Sequence, residues 1–250
     1  MKGFRELEFD LSAALLAELI ELFDEMKPQT LTEANADRIP NGQGVYQLFL
    51  ADELVYVGKT DAKAGLADRL VRHARKISSR LNLDPAKVSF RAVRIYVFTP
   101  MDLERLLIDH YSVYAKPAWN NSGFGANDPG RKRDHTALKK GHFDALYPID
   151  LHVPVAFERA RVRSAASVLS QLKAQLPFNI RYQCDPSNST LPHPELLAAS
   201  VRLARRSPTA QDALSSVAKA MGTRWQITKL SGYVIVYRER RRYTHGLRIR

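Results

Sequence analysis

The sequence predicts an α/β (α+β) protein with a small mixed or antiparallel sheet flanked by helices, followed by a basic α+β accessory domain. Two observations predict the first part. Two strand-like runs flank a short turn at 51–52, and helical periodicity lies on both sides of a β-branched run at 88–98. Helices followed by a hairpin near the end of the chain predict the accessory part. We therefore expect a helical arm at 1–40, a central domain at 41–150 and a basic domain at 151–250.

The helical arm contains one amphipathic helix, predicted at residues 11–26. Its apolar residues share one stripe while glutamates lie off it. The stripe consists of Leu11, Leu15, Leu19, Leu22 and Phe23. An apolar stripe needs a partner surface, so we expect this helix either to cover a sheet or to form a dimer surface.

The central domain begins after the chain-breaking sequence Pro40-Asn41-Gly42. Alternating and β-branched residues predict strands at about 43–50 and 53–58, which are close enough to form a hairpin. A basic helix is predicted at 65–80, and a third strand at 88–98. The order β-β-α-β places helices against a small sheet.

One more helix is predicted in the central domain, with Thr99 as its N-cap and Pro100 in its first turn. It ends before Pro117. A loop rich in glycine and asparagine then runs from Trp119 to Arg133. In the accessory domain the periodicity predicts helices at 164–176, 194–206 and 208–221, and a hairpin of strands 224–229 and 233–239.

Charge is distributed unevenly along the chain. The net charge is +12, and residues 151–250 hold 17 Lys and Arg against 5 Asp and Glu, whereas residues 1–150 hold 21 of each. Clustered cations favour an anionic polymer as partner because they release the counterions of nucleic acid. The C-terminal arginines are expected either to contact the DNA backbone or to form a disordered basic tail.

Other classes of protein are excluded by composition. Cys184 is the single cysteine, so neither a disulfide framework nor a cysteine-rich zinc module is expected. No apolar run approaches the about 20 residues of a membrane-spanning helix, and acidic residues interrupt the N-terminus too early for a signal peptide. We expect a cytoplasmic protein.

Five residues of the central domain form a candidate site for phosphodiester chemistry. Tyr46 and Tyr56 lie on neighbouring strands, where they can share one face of the sheet. Arg69 and His73 are four residues apart on the basic helix and therefore lie on one helical face. Glu104 follows on the next helix. Each residue alone has a structural explanation, as a packed tyrosine, a solvated basic face or an acid that favours a helix N-terminus.

The combination resembles the GIY-YIG nuclease superfamily. The resemblance is carried by Gly44-Val45-Tyr46 and Tyr56-Val57-Gly58, with valine in place of isoleucine, and by Arg69, His73, Glu104 and Trp119-Asn120. Glu104-Arg-Leu-Leu-Ile, Pro117-Ala-Trp-Asn120 and Gly123-Phe-Gly-Ala-Asn-Asp-Pro-Gly130 are similar to the type II restriction endonuclease branch. The resemblance covers residues 40–150.

The resemblance implies a role for each residue. Tyr46 would be the general base that acts on water, and His73 would accept its proton. Tyr56 would orient the water or the phosphate, Arg69 would bind the scissile phosphate, and Glu104 would hold Mg²⁺ or Mn²⁺. The implied activity is a sequence-specific double-stranded DNA endonuclease of a restriction-modification system, acting as a homodimer beside a separate cognate DNA methyltransferase.

Some assignments stay open in the sequence. The asparagine that fixes the geometry of the phosphate or of a neighbouring side chain is Asn120, with Asn121 as the alternative. Candidate DNA contacts are Lys59, Arg131, Lys132 and Arg133, the last three directed to phosphates or to guanine edges. Two other functions fit the charge and motifs: a homing, repair or branched-DNA nuclease, and a DNA-binding protein without catalysis.

Overall fold

A computed structural model describes residues 3–60, 64–96, 103–113, 116–125, 128, 130–157, 162–204 and 207–250. The chain forms two compact units. The first comprises Met1–Arg75 and Asp84–Asn121, and the second comprises Lys76–Leu83 and Ser122–Arg250. The units divide the chain elsewhere than at residues 40 and 150.

The first unit is built on a four-stranded antiparallel sheet with the strand order β1-β4-β2-β3. Its strands are β1 (Gln29–Thr30), β2 (Gly44–Leu50), β3 (Glu53–Thr60) and β4 (Val88–Arg94). Its helices are α1 (Leu11–Glu25), α2 (Glu33–Ala36), α3 (Leu66–Ile77, whose last two residues belong to the second unit) and α4 (Leu103–Tyr111). The predicted small sheet with flanking helices is thus confirmed.

Local chemistry explains the hairpin and the first helix. Ala51 and Asp52 both have positive φ, 49° and 70°, which is the backbone of the tight turns that match strand twist. Asp10 caps α1 by accepting a hydrogen bond from the Ala13 amide at 2.9 Å. α1 packs on β4 and α4 and buries Leu19 and Phe23, so it covers the sheet. The predicted start of α4, Thr99–Asp102, lies outside the described residues.

The second unit contains a four-stranded mixed sheet and a separate pair of short strands. The sheet has the order β10-β8-β9-β6, in which β6 and β9 are parallel, and β5 pairs with β7. The strands are β5 (Val162–Ser164), β6 (Asn179–Tyr182), β7 (Ser200–Arg202), β8 (Gln226–Lys229), β9 (Tyr233–Tyr237) and β10 (Leu247–Ile249). The helices are α5 (Phe143–Leu146), α6 (Ala165–Gln175), α7 (Pro194–Ala198) and α8 (Ala210–Met221).

Two predictions for the second unit need correction. The helix predicted at 194–206 ends at Ala198, and the chain continues as β7. Val201 and Leu203 are buried two residues apart, a strand period, and Ser200 pairs with Ser164 across the β5–β7 ladder. The C-terminal arginines are not a disordered tail, because Leu247–Ile249 pairs with β8 and Ile249 is buried in the core.

The core of the second unit also takes in a residue before 151. Ile149 is buried in one apolar cluster with Leu151, Val155, α6, α8 and the sheet. None of the helices in the described part of the chain has the length and apolar character needed to cross a membrane.

Candidate active site

The two tyrosines meet on one face of the β2–β3 hairpin. Tyr46 lies opposite Gly58 and Leu48 lies opposite Tyr56, so the two rings are diagonal neighbours with centroids 6.0 Å apart. A Cβ at Gly58 would stand 2.4 Å from Tyr46 Oη. Glycine is therefore required at this position, because the phenol of Tyr46 lies directly against the β3 backbone.

Helix α3 supplies the histidine. Tyr46 Oη and His73 Nε2 are 2.8 Å apart in a buried hydrogen bond, and the His73 ring centroid is 5.6 Å from each tyrosine ring. Tyr46 and His73 are 0% and 3% exposed, which keeps bulk water away from the bond. When His73 carries its proton on Nδ1, its Nε2 accepts from the phenol.

The electrostatics of the phenols are set by burial and by two charged neighbours. Burial strongly raises the pKa of Tyr46, as does Tyr56, while Arg69 lowers it and Glu104 adds a smaller increase. The pKa of Tyr56 is also raised, first by burial and then by Glu104, and Arg69 opposes the rise. Tyr46 therefore holds its proton at neutral pH, and both Arg69 and Glu104 act on the same pair of hydroxyls.

Arg69 offers a donor for an anion. Its side chain is half-buried, and its Nε is buried without a hydrogen-bond partner among the described residues. A buried N–H that lacks an acceptor costs about 1–3 kcal/mol. A phosphate oxygen would satisfy it with a charge-assisted bond.

Glu104 stands in the first turn of α4 and is partly buried. Among the residues that the structure describes, no group of three or more His, Cys, Asp or Glu side chains could hold a metal. A single carboxylate fits Mg²⁺, which commonly uses one or two carboxylates together with substrate phosphates and water. Glu104 therefore fits a site that DNA completes.

Asn120 is a backbone clamp on β3. Its Nδ2 donates to Val57 O and its Oδ1 accepts from Val57 N, both at 2.8 Å, while Trp119 N donates to Val55 O at 2.7 Å. Val57 lies between Tyr56 and Gly58, so this amide fixes the strand that carries the site. Asn121 is exposed and has φ of 60°, so the described clamp uses Asn120.

The candidate DNA contacts belong to both units. Lys59 is exposed, and strand alternation puts it on the opposite face of the sheet from Tyr56. Arg131, Lys132 and Arg133 form a single 3₁₀ turn in the second unit. All three are exposed, and the guanidinium of Arg131 lies over the Tyr237 ring, 4.4 Å from its centroid.

Sequence reasoning missed a half-buried lysine in the second unit. Lys76 Nζ donates to Phe124 O and lies 5.3 Å and 5.5 Å from the ring centroids of Phe124 and Phe143. Burial lowers its pKa to about 8. Gly123, with φ of 86°, provides the turn that this ammonium anchors. Alternation of basic and apolar residues on α3 gave no signal that set Lys76 apart from the exposed cations beside it.

Comparison with protein-family models matches residues 50–152 to the Eco29kI GIY-YIG domain. This region belongs to the GIY-YIG superfamily. The match supports the restriction endonuclease branch and indicates a nuclease whose substrate is DNA. It includes Tyr56, Arg69, His73, Glu104 and Asn120 and begins after Tyr46, which the hairpin register ties to Tyr56. A search of curated proteins found no match to the chain.

Proposed function

We propose that the protein is a type II restriction endonuclease that cuts double-stranded DNA at a specific sequence, with a tyrosine general base and a divalent metal. The observation that carries the proposal is the buried bond between Tyr46 Oη and His73 Nε2, together with Arg69 Nε, which has no acceptor in the part of the chain that the structure describes. Phosphodiester hydrolysis needs a base for the attacking water and donors that stabilise the charge on the phosphate. The phenol–imidazole pair would supply the base, and Arg69 would supply a donor.

The raised pKa of Tyr46 defines what His73 must do. A protonated phenol cannot take a proton from water unless it gives up its own. As Tyr46 Oη takes the proton of the attacking water, its phenolic proton passes to His73 Nε2. The water oxygen forms the new P–O bond, and the bond from phosphorus to the leaving oxygen breaks. This relay requires His73 to be neutral before the step.

Arg69 and Tyr56 act on the phosphate. The guanidinium would donate to a non-bridging oxygen of the scissile phosphate and stabilise the charge that grows there. Tyr56 faces the same space from the diagonal position on β3 and would orient the water or the phosphate.

Glu104 is the residue that would hold the divalent cation, Mg²⁺ or Mn²⁺. Nucleases of this superfamily generally use divalent metals. When bound, such an ion polarises a phosphate oxygen and favours departure of the leaving oxygen.

A restriction enzyme of this kind would act as a homodimer, since two-fold symmetry suits cleavage of both strands of a palindrome. Its cognate methyltransferase would be a separate chain. Lys59, Arg131, Lys132 and Arg133 are the proposed DNA contacts. All three cations of the 3₁₀ turn are exposed, and Lys132 and Arg133 are better placed for a major groove than Arg131, whose guanidinium lies over the Tyr237 ring.

The deciding experiment incubates the purified protein with several unmethylated plasmids in Mg²⁺ and in EDTA. Glu104→Ala is run beside it, with Glu18→Ala, at an exposed position of α1, as the matched control. We expect discrete fragments from wild type and Glu18→Ala in Mg²⁺ only, and none from Glu104→Ala, which still binds DNA. Nicking that depends on DNA structure would indicate a repair-type nuclease. Binding without cleavage by folded wild type, in any divalent metal, would indicate a DNA-binding protein.

A further inference from the structure

A cleft lined by four arginines lies in the second unit, far along the chain from the nuclease motifs. Arg240, Arg241, Arg242 and Arg248 border a cavity of about 530 Å³, which we call the arginine cleft. The other residues that line it are uncharged: Gln226, Thr228, Tyr243, Thr244 and Gly246. The volume falls in the range of about 300–1,000 Å³ typical of ligand sites.

The floor of the arginine cleft is a polar face of the sheet. On β8, Ile227 points into the apolar core, so Gln226 and Thr228 lie on the other face. They are only 4% and 2% exposed. Arg248 on β10 is the register partner of Thr228, which puts its side chain on the same face. The cleft is therefore built on two paired strands.

Gln226 holds the wall of the cleft in place. Its Nε2 donates to Arg241 O at 2.7 Å and to Thr228 Oγ1 at 2.9 Å, and its Oε1 accepts from Arg241 N at 3.1 Å. These bonds fix the backbone at the centre of the run 240–242. They also occupy the amide, so Gln226 has its donors and its acceptor committed within the protein.

The four guanidinium groups of the cleft differ in their surroundings. Arg240 donates to Thr223 O at 3.3 Å, and Arg241 Nη1 is 2.9 Å from His135 Nε2, whose ring stacks on Tyr243. Arg242 and Arg248 are exposed at the rim of the cleft. Each guanidinium carries five N–H donors and no acceptor.

We propose that the arginine cleft binds backbone phosphates of the DNA that the nuclease cuts, through Arg242 and Arg248. This inference rests on the proposed function. Phosphate oxygens accept hydrogen bonds only and match the guanidinium groups of Arg242 and Arg248, which donate only, whereas base edges present donors as well. The cleft therefore adds affinity without reading sequence, and it accounts for part of the positive charge of residues 151–250.

The test measures binding of a DNA duplex in EDTA, where cleavage does not interfere, over a range of salt concentrations. Arg242→Gln/Arg248→Gln is compared with Arg202→Gln/Lys219→Gln. The control pair removes the same charge from exposed positions on β7 and α8, and α8 packs on the core face of the sheet, opposite the cleft. Each lost phosphate contact lowers the salt slope by about 0.9.

We expect the cleft variant to lose about two units of slope and at least about tenfold in affinity at moderate salt, while the control changes far less. Equal slopes for wild type and a folded cleft variant, checked by thermal unfolding, would overturn the inference. So would equal losses in the two variants, since the effect would then be net charge alone. Either result leaves the proposed function standing if wild type still cuts plasmid; absence of any DNA binding by wild type would overturn both.

Discussion

The two units each place a pair of tyrosines beside an arginine, and the two pairs differ in what their hydroxyls contact. In the first unit Tyr46 bonds His73, with Tyr56 as its neighbour. In the second unit Tyr233 and Tyr237 both donate to the Asp134 carboxylate, at 2.7 Å and 3.3 Å. Arg181 pairs with the same carboxylate.

The two pairs differ in the hydrogen-bond partner of the tyrosine hydroxyls rather than in the tyrosines themselves. Burial raises the pKa in both: strongly for Tyr46, and to about 12 for Tyr237. A raised pKa alone therefore does not mark a reactive phenol. Asp134 is a fixed acceptor with a fully buried side chain, so its tyrosines hold their protons and stabilise the fold. The imidazole of His73 has a ring nitrogen that can accept a proton, and the proposed relay from Tyr46 depends on that difference.

The largest expected effect comes from Tyr46→Phe. Loss of the general base should slow cleavage by about 10²–10⁴-fold, with DNA affinity in EDTA close to wild type. Tyr233→Phe is the matched control, because it removes one hydroxyl from the pair in the second unit. The measurement is the single-turnover cleavage rate. A Tyr46→Phe rate within threefold of wild type would show that Tyr46 is not the general base.

Asp134→Asn probes the second pair. It removes the anionic partner of Arg181 and of two phenols in a buried position, so we expect a loss of about 3 kcal/mol in the free energy of unfolding. Urea denaturation measures it. Glu104→Gln, which changes a partly buried carboxylate of the first unit, is expected to have a much smaller effect on stability. A denaturation midpoint for Asp134→Asn equal to that of wild type would mean that the cluster does not stabilise the unit.

Gly58→Ala tests the close approach of Tyr46 to β3. The added methyl would overlap the phenol oxygen and displace it from His73, and a displacement of about 1 Å can cost about 100-fold in rate. Gly141→Ala is the control, since a Cβ there meets nothing within 4 Å. We expect cleavage to fall far more for Gly58→Ala than for the control. Similar rates for the two would show that the phenol tolerates the shift.

The smallest effect is a pH dependence of stability that arises from Lys76 in the second unit. Its folded pKa of about 8 lies below the 10.5 of an unperturbed lysine. Between pH 8 and 10 the unfolded state binds more protons, so this residue makes stability rise with pH, by at most about 1.4 kcal/mol per pH unit. Lys76→Met should remove that rise, as measured by unfolding at each pH. An identical pH dependence in wild type and variant would contradict the lowered pKa of Lys76.

Removal of the basic region by truncation near residue 155 would not isolate its charge. Residues 122–157 and 162–250 belong to one compact unit, and Leu151 and Phe157 are buried in the same core as Leu169. Such a truncation would expose that core. Substitution of exposed arginines therefore tests the role of the positive charge without disturbing the core of the second unit.

Local patterns were sufficient for much of the first unit. The two tripeptides, the turn at Ala51 and Asp52, and the four-residue spacing of Arg69 and His73 are short-range features, and they predict a hairpin that faces a helix. The second unit was predicted less well. β6 and β7 are three or four residues long, and strands this short pair only because the tertiary core covers them.

The sequence by itself determined the superfamily motifs, the hairpin that carries them and the concentration of cations after residue 150. Only the tertiary structure decided which side chains are committed to partners. Asn120 clamps Val57 across 63 residues, Tyr233 donates to Asp134 across 99, and Arg241 meets His135 across 106. Such contacts follow from the packing of whole elements, since neither helical nor strand periodicity carries information over those separations.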